Sequence, residues 1–120
     1  MTKSYKEQFS LDQRIEESNR ILSKHPNHIP VIVDVDKKVG TIKKNKFLVP
    51  SDVSASHLMI SIRSQIKCNS SQALFMFNEN RMICPTMMMG NIYHKYINKQ
   101  SNNKSDKFFY ITVHGENTFG

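Results

Sequence analysis

Apolar residues at Leu11, Ile15 and Leu22 recur near helical spacing, with Asp12, Glu16 and Glu17 toward the start of the stretch, where the helix dipole favours acids. This pattern predicts a helix from Leu11 to Ser23. It stops at His25-Pro26, because a proline ring disfavours a helical residue before it. Residues 29–35, IPVIVDV, are rich in β-branched side chains and predict a strand. Ile29, Val31, Val33 and Val35 share one face of it, and Pro30 and Ile32 share the other. KFLV at 46–49 reads as a second, antiparallel strand that Pro50 ends. Ser51, Asp52 or Ser54 can then accept orphan backbone N–H groups. Ala55, Leu58, Met59, Ile62 and Ile66 trace one face of the helix that follows. LFMFN at 74–78 predicts a third strand. Thr86 is placed to cap a further helix with Met89, Ile92, Tyr93 and Tyr96 on one side. Residues 98–107, NKQSNNKSDK, hold no apolar residue and read as a solvent loop. FFYITV at 108–113 predicts the last strand.

The first and last strands carry apolar side chains on both faces, so the sheet is expected to be covered on both sides. The amino-terminal helix is the element left to cover the second face. A chain of 120 residues suits one domain with one principal core. The reading is an α+β fold: a four-stranded mixed sheet, internal helices on one face and an added helical layer on the other. Its segments are an amino-terminal helical extension at 1–26, a core at 27–114 and a flexible tail at 115–120.

Composition narrows the function. Two cysteines, Cys68 and Cys84, are too few for the disulfide framework of a small secreted protein, and both are expected as thiols. The start, MTKSYKEQFSL, places charges where a signal peptide needs an apolar stretch, and no run approaches a membrane span. A soluble, cytoplasmic protein is expected. The net charge of +7 is concentrated at Lys37, Lys38, Lys43, Lys44 and Lys46. That patch favours acidic peptides, anionic lipid or nucleic acid, or is simply a solvated turn and sheet edge kept soluble by lysine. Its lysines lack the interleaved aromatics of a nucleic-acid reader until Phe47, so nucleic acid is not the expected principal partner. The five histidines are scattered, neither cysteine has a nucleophile signature near one, and the chain has no glycine-rich phosphate loop. No metal site and no enzymatic activity are expected.

Several blocks carry a more specific signal: YKEQFSLDQR at 5–14, IPVIV at 29–33, KFLVPSD at 46–52, ALFMFN at 73–78, Pro85-Thr86 and GENTFG at 115–120. Together they resemble the autophagy ubiquitin-like modifiers, the family that includes GABARAP and the microtubule-associated protein light chains. The resemblance implies the ubiquitin-like β-grasp fold. It also implies conjugation: an activating enzyme adenylates the terminal glycine, a conjugating enzyme receives it as a thioester, and its carboxyl is joined to the amine of phosphatidylethanolamine. Gly120 would be the conjugated residue and Phe119 the aromatic that docks the tail on those enzymes. Glycine suits the role because, without a β-carbon, it threads a narrow channel and presents an unhindered carboxylate. Gly120 already stands last, so no prior trimming is expected, although the family's deconjugating cysteine protease would still release the protein from lipid. The covalent lipid takes the place of any cofactor. The implied locations are the cytoplasm and, when lipidated, the autophagosome membrane.

The resemblance further implies capture of short aromatic-x-x-aliphatic motifs in cargo receptors and autophagy factors. Glu17, Ile21, Pro30, Ile32, Lys46, Leu48 and Phe108 match the positions that line the aromatic pocket. Phe47, Val49, Pro50, Val53, Leu58 and Ile62 match the aliphatic pocket, and Lys24, His28 and Arg63 would meet acids flanking the motif. For any one of these apolar residues, plain core membership is the competing reading. Ser61 and His28 depart from the pattern, standing where relatives have an apolar and a basic residue. The alternative function is a ubiquitin-like adaptor that captures peptides without being conjugated.

Overall fold

The computed structural model describes residues 3–67, 72–100 and 104–116. Two capped helices open the chain: α1 (Tyr5–Gln8) and α2 (Leu11–Lys24). Each begins with a capping box, Ser4 with Glu7 and Ser10 with Gln13, in which side chain and backbone satisfy one another's orphan donors. Next come β1 (His28–Val35), β2 (Thr41–Ile42), β3 (Lys46–Pro50), α3 (Ala55–Gln65) and β4 (Ile66–Lys67). The remainder is β5 (Leu74–Asn78), β6 (Arg81–Met82), α4 (Met89–Lys99) and β7 (Phe109–Gly115).

The main sheet has the order β3-β1-β7-β5-β6, and β2 pairs with β4 in a separate ribbon. β1 and β7 run parallel at the centre, and the other neighbours are antiparallel. The mixed α+β architecture is the expected one, with five strands rather than four. The fifth, β6, is two residues long and folds back on β5 through Glu79 and Asn80, too short to leave a periodic signal. α1, likewise a single turn, was not foreseen either.

Strand alternation divides the interior. Ile29, Val31 and Val33 of β1 and Phe109, Ile111 and Val113 of β7 pack with Ala55, Leu58 and Ile62 of α3 and Met89 of α4. On the opposite face Ile32 and Phe108 pack with Tyr5, and Ile21 of α2 closes over them. The amino-terminal layer therefore covers the second face, as the two-sided apolar strands require. Polar groups lock it there. Arg14 donates to the Asp106 carboxylate at 2.6 Å, and the Lys107 N–H donates to the Ser18 hydroxyl at 2.9 Å. Asp106 also accepts from the Phe108 N–H at 3.0 Å and the Tyr110 hydroxyl at 2.8 Å.

One local alternative is resolved and four expectations are corrected. Ser54 is the α3 cap, accepting from the His57 N–H, and Ile66 leaves that helix to begin β4 while staying buried. Thr86 caps nothing: α4 starts at Met89 without a side-chain cap, and the Thr86 hydroxyl lies 3.2 Å from the Cys84 thiol. Within 98–107, α4 runs on through Lys99 and Asp106 is buried, because three hydrogen bonds, from Arg14, the Phe108 N–H and the Tyr110 hydroxyl, compensate its desolvation. Leu11, expected on the apolar stripe of α2, is 38% exposed and belongs to neither core.

Candidate functional site: an open strand edge and its cavity

β3 is an outer strand of the sheet, and its register fixes which backbone groups face outward. The Val33 N–H donates to Asn45 C=O and the Ser51 N–H to Asn27 C=O, so odd-numbered β1 residues form the hydrogen-bonded pairs. Antiparallel ladders alternate, and the pairs Pro30↔Leu48 and Ile32↔Lys46 are therefore the non-bonded ones. The N–H and C=O of Lys46 and Leu48 point away from the sheet. Pro30 fits the same logic. Its ring nitrogen faces the β7 side, and pairing with β7 begins only at Val31, so no ladder bond is lost.

Beside this edge lies a cavity of about 230 Å³ between α2 and β3. Ile21, Pro30, Phe47 and Leu48 supply its apolar lining; Arg20, Lys24, His25, Lys44 and Lys46 supply its polar lining. Leu48 is 41% exposed, an apolar side chain held in solvent at the mouth of the cavity. Glu17 sits at its border, bound to Arg20 at 2.5 Å and 3.9 Å from the Lys46 ammonium. The Arg20 hydrogen bond holds the Glu17 carboxyl below its ordinary range. Lys46 also stands 5.2 Å above the Tyr5 ring and 5.8 Å from that of Phe108. The environment is apolar below and cationic around, suited to an apolar side chain flanked by acids.

Of the residues matched to the aromatic pocket, Ile21, Pro30, Lys46 and Leu48 line this cavity and Glu17 adjoins it. Ile32 and Phe108 do not: both are fully buried beneath Tyr5 in the second core. The second set is mostly interior. Phe47, Val49, Leu58 and Ile62 belong to the main core, Val53 packs against it, and Pro50 is exposed. Lys24 lines the cavity, whereas His28 stacks edge-on against His25 at 5.7 Å between ring centres. Arg63 does not line this cavity and donates to the Gln72 C=O at 2.8 Å. Sequence matching missed Arg20 and Lys44. Arg20 was legible as the residue one turn before Lys24 on the same helical face, and Lys44 as a member of the basic run. Gly120 and Phe119 lie outside the described residues.

Comparison with known proteins gives the edge its context. The family described as autophagy protein Atg8, ubiquitin like, matches residues 13–120. Autophagy-related protein 8 of Schizosaccharomyces pombe is 38% identical over 122 residues, covering 100% of this chain and 96% of that one. Autophagy-related protein 8c of Arabidopsis thaliana is 38% identical over 119 residues, covering 98% and 95%. Among solved structures, Trypanosoma brucei ATG8 superposes with a TM-score of 0.79 at 24% identity, covering 97% of each chain. Plasmodium falciparum Atg8 in complex with a Plasmodium falciparum Atg3 peptide superposes with a TM-score of 0.75 at 22% identity, covering 94% and 96%. With a family match over most of its length and relatives aligned from end to end, the chain belongs to the Atg8 family of ubiquitin-like autophagy proteins.

Proposed function

We propose that this protein is a modifier conjugated through Gly120 to phosphatidylethanolamine, and that on the membrane it recruits cargo receptors and autophagy factors through its β3 edge. The carrying observation is the outward backbone of Lys46 and Leu48 beside a cation-rimmed apolar cavity. An extended peptide adds there as a strand, its main chain bonding to the edge and an aromatic side chain entering between Ile21, Pro30 and Leu48. Acids flanking the motif meet Arg20, Lys24, Lys44 and Lys46. The Plasmodium falciparum relative is solved with a peptide of Atg3, which supports a peptide of the conjugating enzyme as one occupant of this edge.

Conjugation rests on family membership and on the GENTFG block. A carboxylate does not acylate an amine unaided. ATP first converts it to an acyl-adenylate with release of pyrophosphate, and an enzyme thiol displaces AMP. The lipid amine then displaces the thiol to leave an amide. This chain contributes the acyl group and a docking surface, and no catalytic residue. Two buried acyl chains, each methylene adding about 0.8 kcal/mol, hold a domain of this size at a bilayer. The predicted locations are the cytoplasm and, after conjugation, the autophagosome membrane.

The test is the intact mass of the protein recovered from cell membranes during starvation, wild type against a chain lacking Gly120. A lipid-sized increment that disappears with Gly120 supports conjugation. Its absence from the wild type leaves the unconjugated adaptor, for which peptide capture survives the loss of Gly120.

A further inference from the structure

The opposite end of the sheet holds a second, larger cavity. The β5–β6 hairpin and α4 enclose about 520 Å³, within the range of roughly 300–1,000 Å³ typical of small-molecule sites. Ile83, Met87, Ile92 and Phe109 give it an apolar floor. Cations come from both walls: Arg81 from β6, and Lys95 and Lys99 from successive turns of α4. Among the described residues, none of the three forms an ion pair. Their fields therefore add at one mouth, opposed by a single lining acid, Glu79.

Glu79 itself is unusual. It occupies the first central position of the turn between Asn78 and Arg81 at φ 58°, a conformation costly for a residue with a β-carbon. A two-residue hairpin turn requires a positive φ at that position, so the strain belongs to the turn that sets Arg81 opposite Asn78. A strand-adding partner fits poorly here. The Ile83 N–H bonds to Met76 C=O, which leaves Met82 as the β6 residue with outward backbone groups, and one residue is too little edge to template a strand.

We propose that this cavity binds a small amphipathic anion: an apolar body carrying one phosphate or carboxylate. The body rests on Ile83, Met87 and Phe109, and the charge is met by Arg81, Lys95 and Lys99. The site is independent of the β3 edge and of Gly120, so it stands or falls apart from the function proposed above.

The test uses the full chain labelled with ¹³C at its methionine methyls. Octyl phosphate below its micelle concentration is the probe, with octyl glucoside and inorganic phosphate as controls for body and charge alone. The expected result is saturable shifts of the Met82 and Met87 methyls with octyl phosphate, and much weaker ones with either control. The triple variant Arg81→Gln, Lys95→Gln, Lys99→Gln should raise the apparent Kd about tenfold or more at an unchanged melting temperature. Slower alkylation of the exposed Cys84, which also lines the cavity, is the second readout, made on a Cys68→Ser background. Vesicles of phosphatidylcholine with phosphatidic acid identify the source. Binding lost in the triple variant points to a bilayer-borne anion, and octyl phosphate binding without vesicle binding points to a soluble one. Equal binding of octyl glucoside, unchanged affinity in the triple variant, or no shift at Met82 and Met87 would overturn the proposal.

Discussion

Replacing Leu48 by proline isolates the backbone contribution of the β3 edge. Leu48 pairs with Pro30 in a non-bonded position, so its N–H serves no partner inside the sheet and is available only to an added strand. Proline removes that donor and sets its ring against the carbonyl the donor would have met. Leu48→Ala is the reference, because it removes the apolar side chain and keeps the N–H. A neutral hydrogen bond contributes about 0.5–1.5 kcal/mol net, and a carbonyl left unpaired in an interface costs about 1–3 kcal/mol. The difference between the variants should therefore be about 1–2 kcal/mol, or roughly 5- to 30-fold in Kd. The assay is calorimetric titration with a synthetic peptide bearing an aromatic-x-x-leucine motif behind two acids, with thermal melts of all three proteins. Edge strands tolerate proline, as Pro50 already shows at the end of this one, and the melting temperature should stay within about 5 °C. Equal affinities for the proline and alanine variants, with the fold intact, would refute strand addition at this edge.

Other consequences follow from the packing. Arg14→Met should destabilise the protein by about 3 kcal/mol, because it strands the buried Asp106 carboxylate on two remaining donors. A fall in melting temperature of about 10 °C, partly restored by adding Asp106→Asn, would bear this out. Gly90→Ala near the start of α4 should cost about 1–2 kcal/mol, not stabilise as a helical alanine usually does. Its Cβ would lie 2.9 Å from the Ser51 carbonyl oxygen, which the Gly90 N–H already holds at 2.8 Å; a raised denaturation midpoint would contradict the reading. Burial pushes the Tyr93 and Tyr96 phenols up to about 12. Folding therefore favours their neutral forms, so their contribution to stability is constant below about pH 10 and stability should fall between about pH 10 and 12. Ultraviolet titration should show both ionising only as the fold is lost, and two tyrosines ionising freely near pH 10 would refute this.

Most of the fold was legible because its long elements obey one period each. The β1 and α3 patterns follow directly from where their apolar residues fall, and β5 has the expected bounds. The misses have physical causes. β6 and α1 are too short for periodicity to register. The Thr86 cap failed because the bridge between Ser54 and Met88 and the bond from the Met89 N–H to Val53 C=O position the start of α4, tertiary contacts that no local signal reports. Asp106 looked like a solvent-exposed loop residue because its partner Arg14 lies 92 residues away. The candidate site divides the same way. The family resemblance placed Lys46 and Leu48 at the pocket, and period-two alternation set Pro30 and Ile32 opposite the core-facing valines, but neither could tell that Ile32 and Phe108 sit beneath Tyr5, a question of layering between distant segments.

The two edges of the sheet explain why recognition should differ at its two ends. At β3, Lys46 and Leu48 offer an outward N–H and C=O each, separated by one strand repeat, and the cavity opens alongside them. An extended chain satisfies all four groups at once, so backbone bonding carries affinity and the cavity selects a side chain. At β6 the edge ends after two residues and α4 stands close behind it. Little main chain is exposed to template a partner. What is exposed there is volume and positive charge, which reward a compact ligand that carries its own apolar body. A short edge strand also keeps two copies of the sheet from joining end to end, so a peptide added at β3 does not become the first step of a polymer. Under the two proposals made above, the asymmetry would let one sheet hold an extended partner at one end and leave the other free for a different class of ligand.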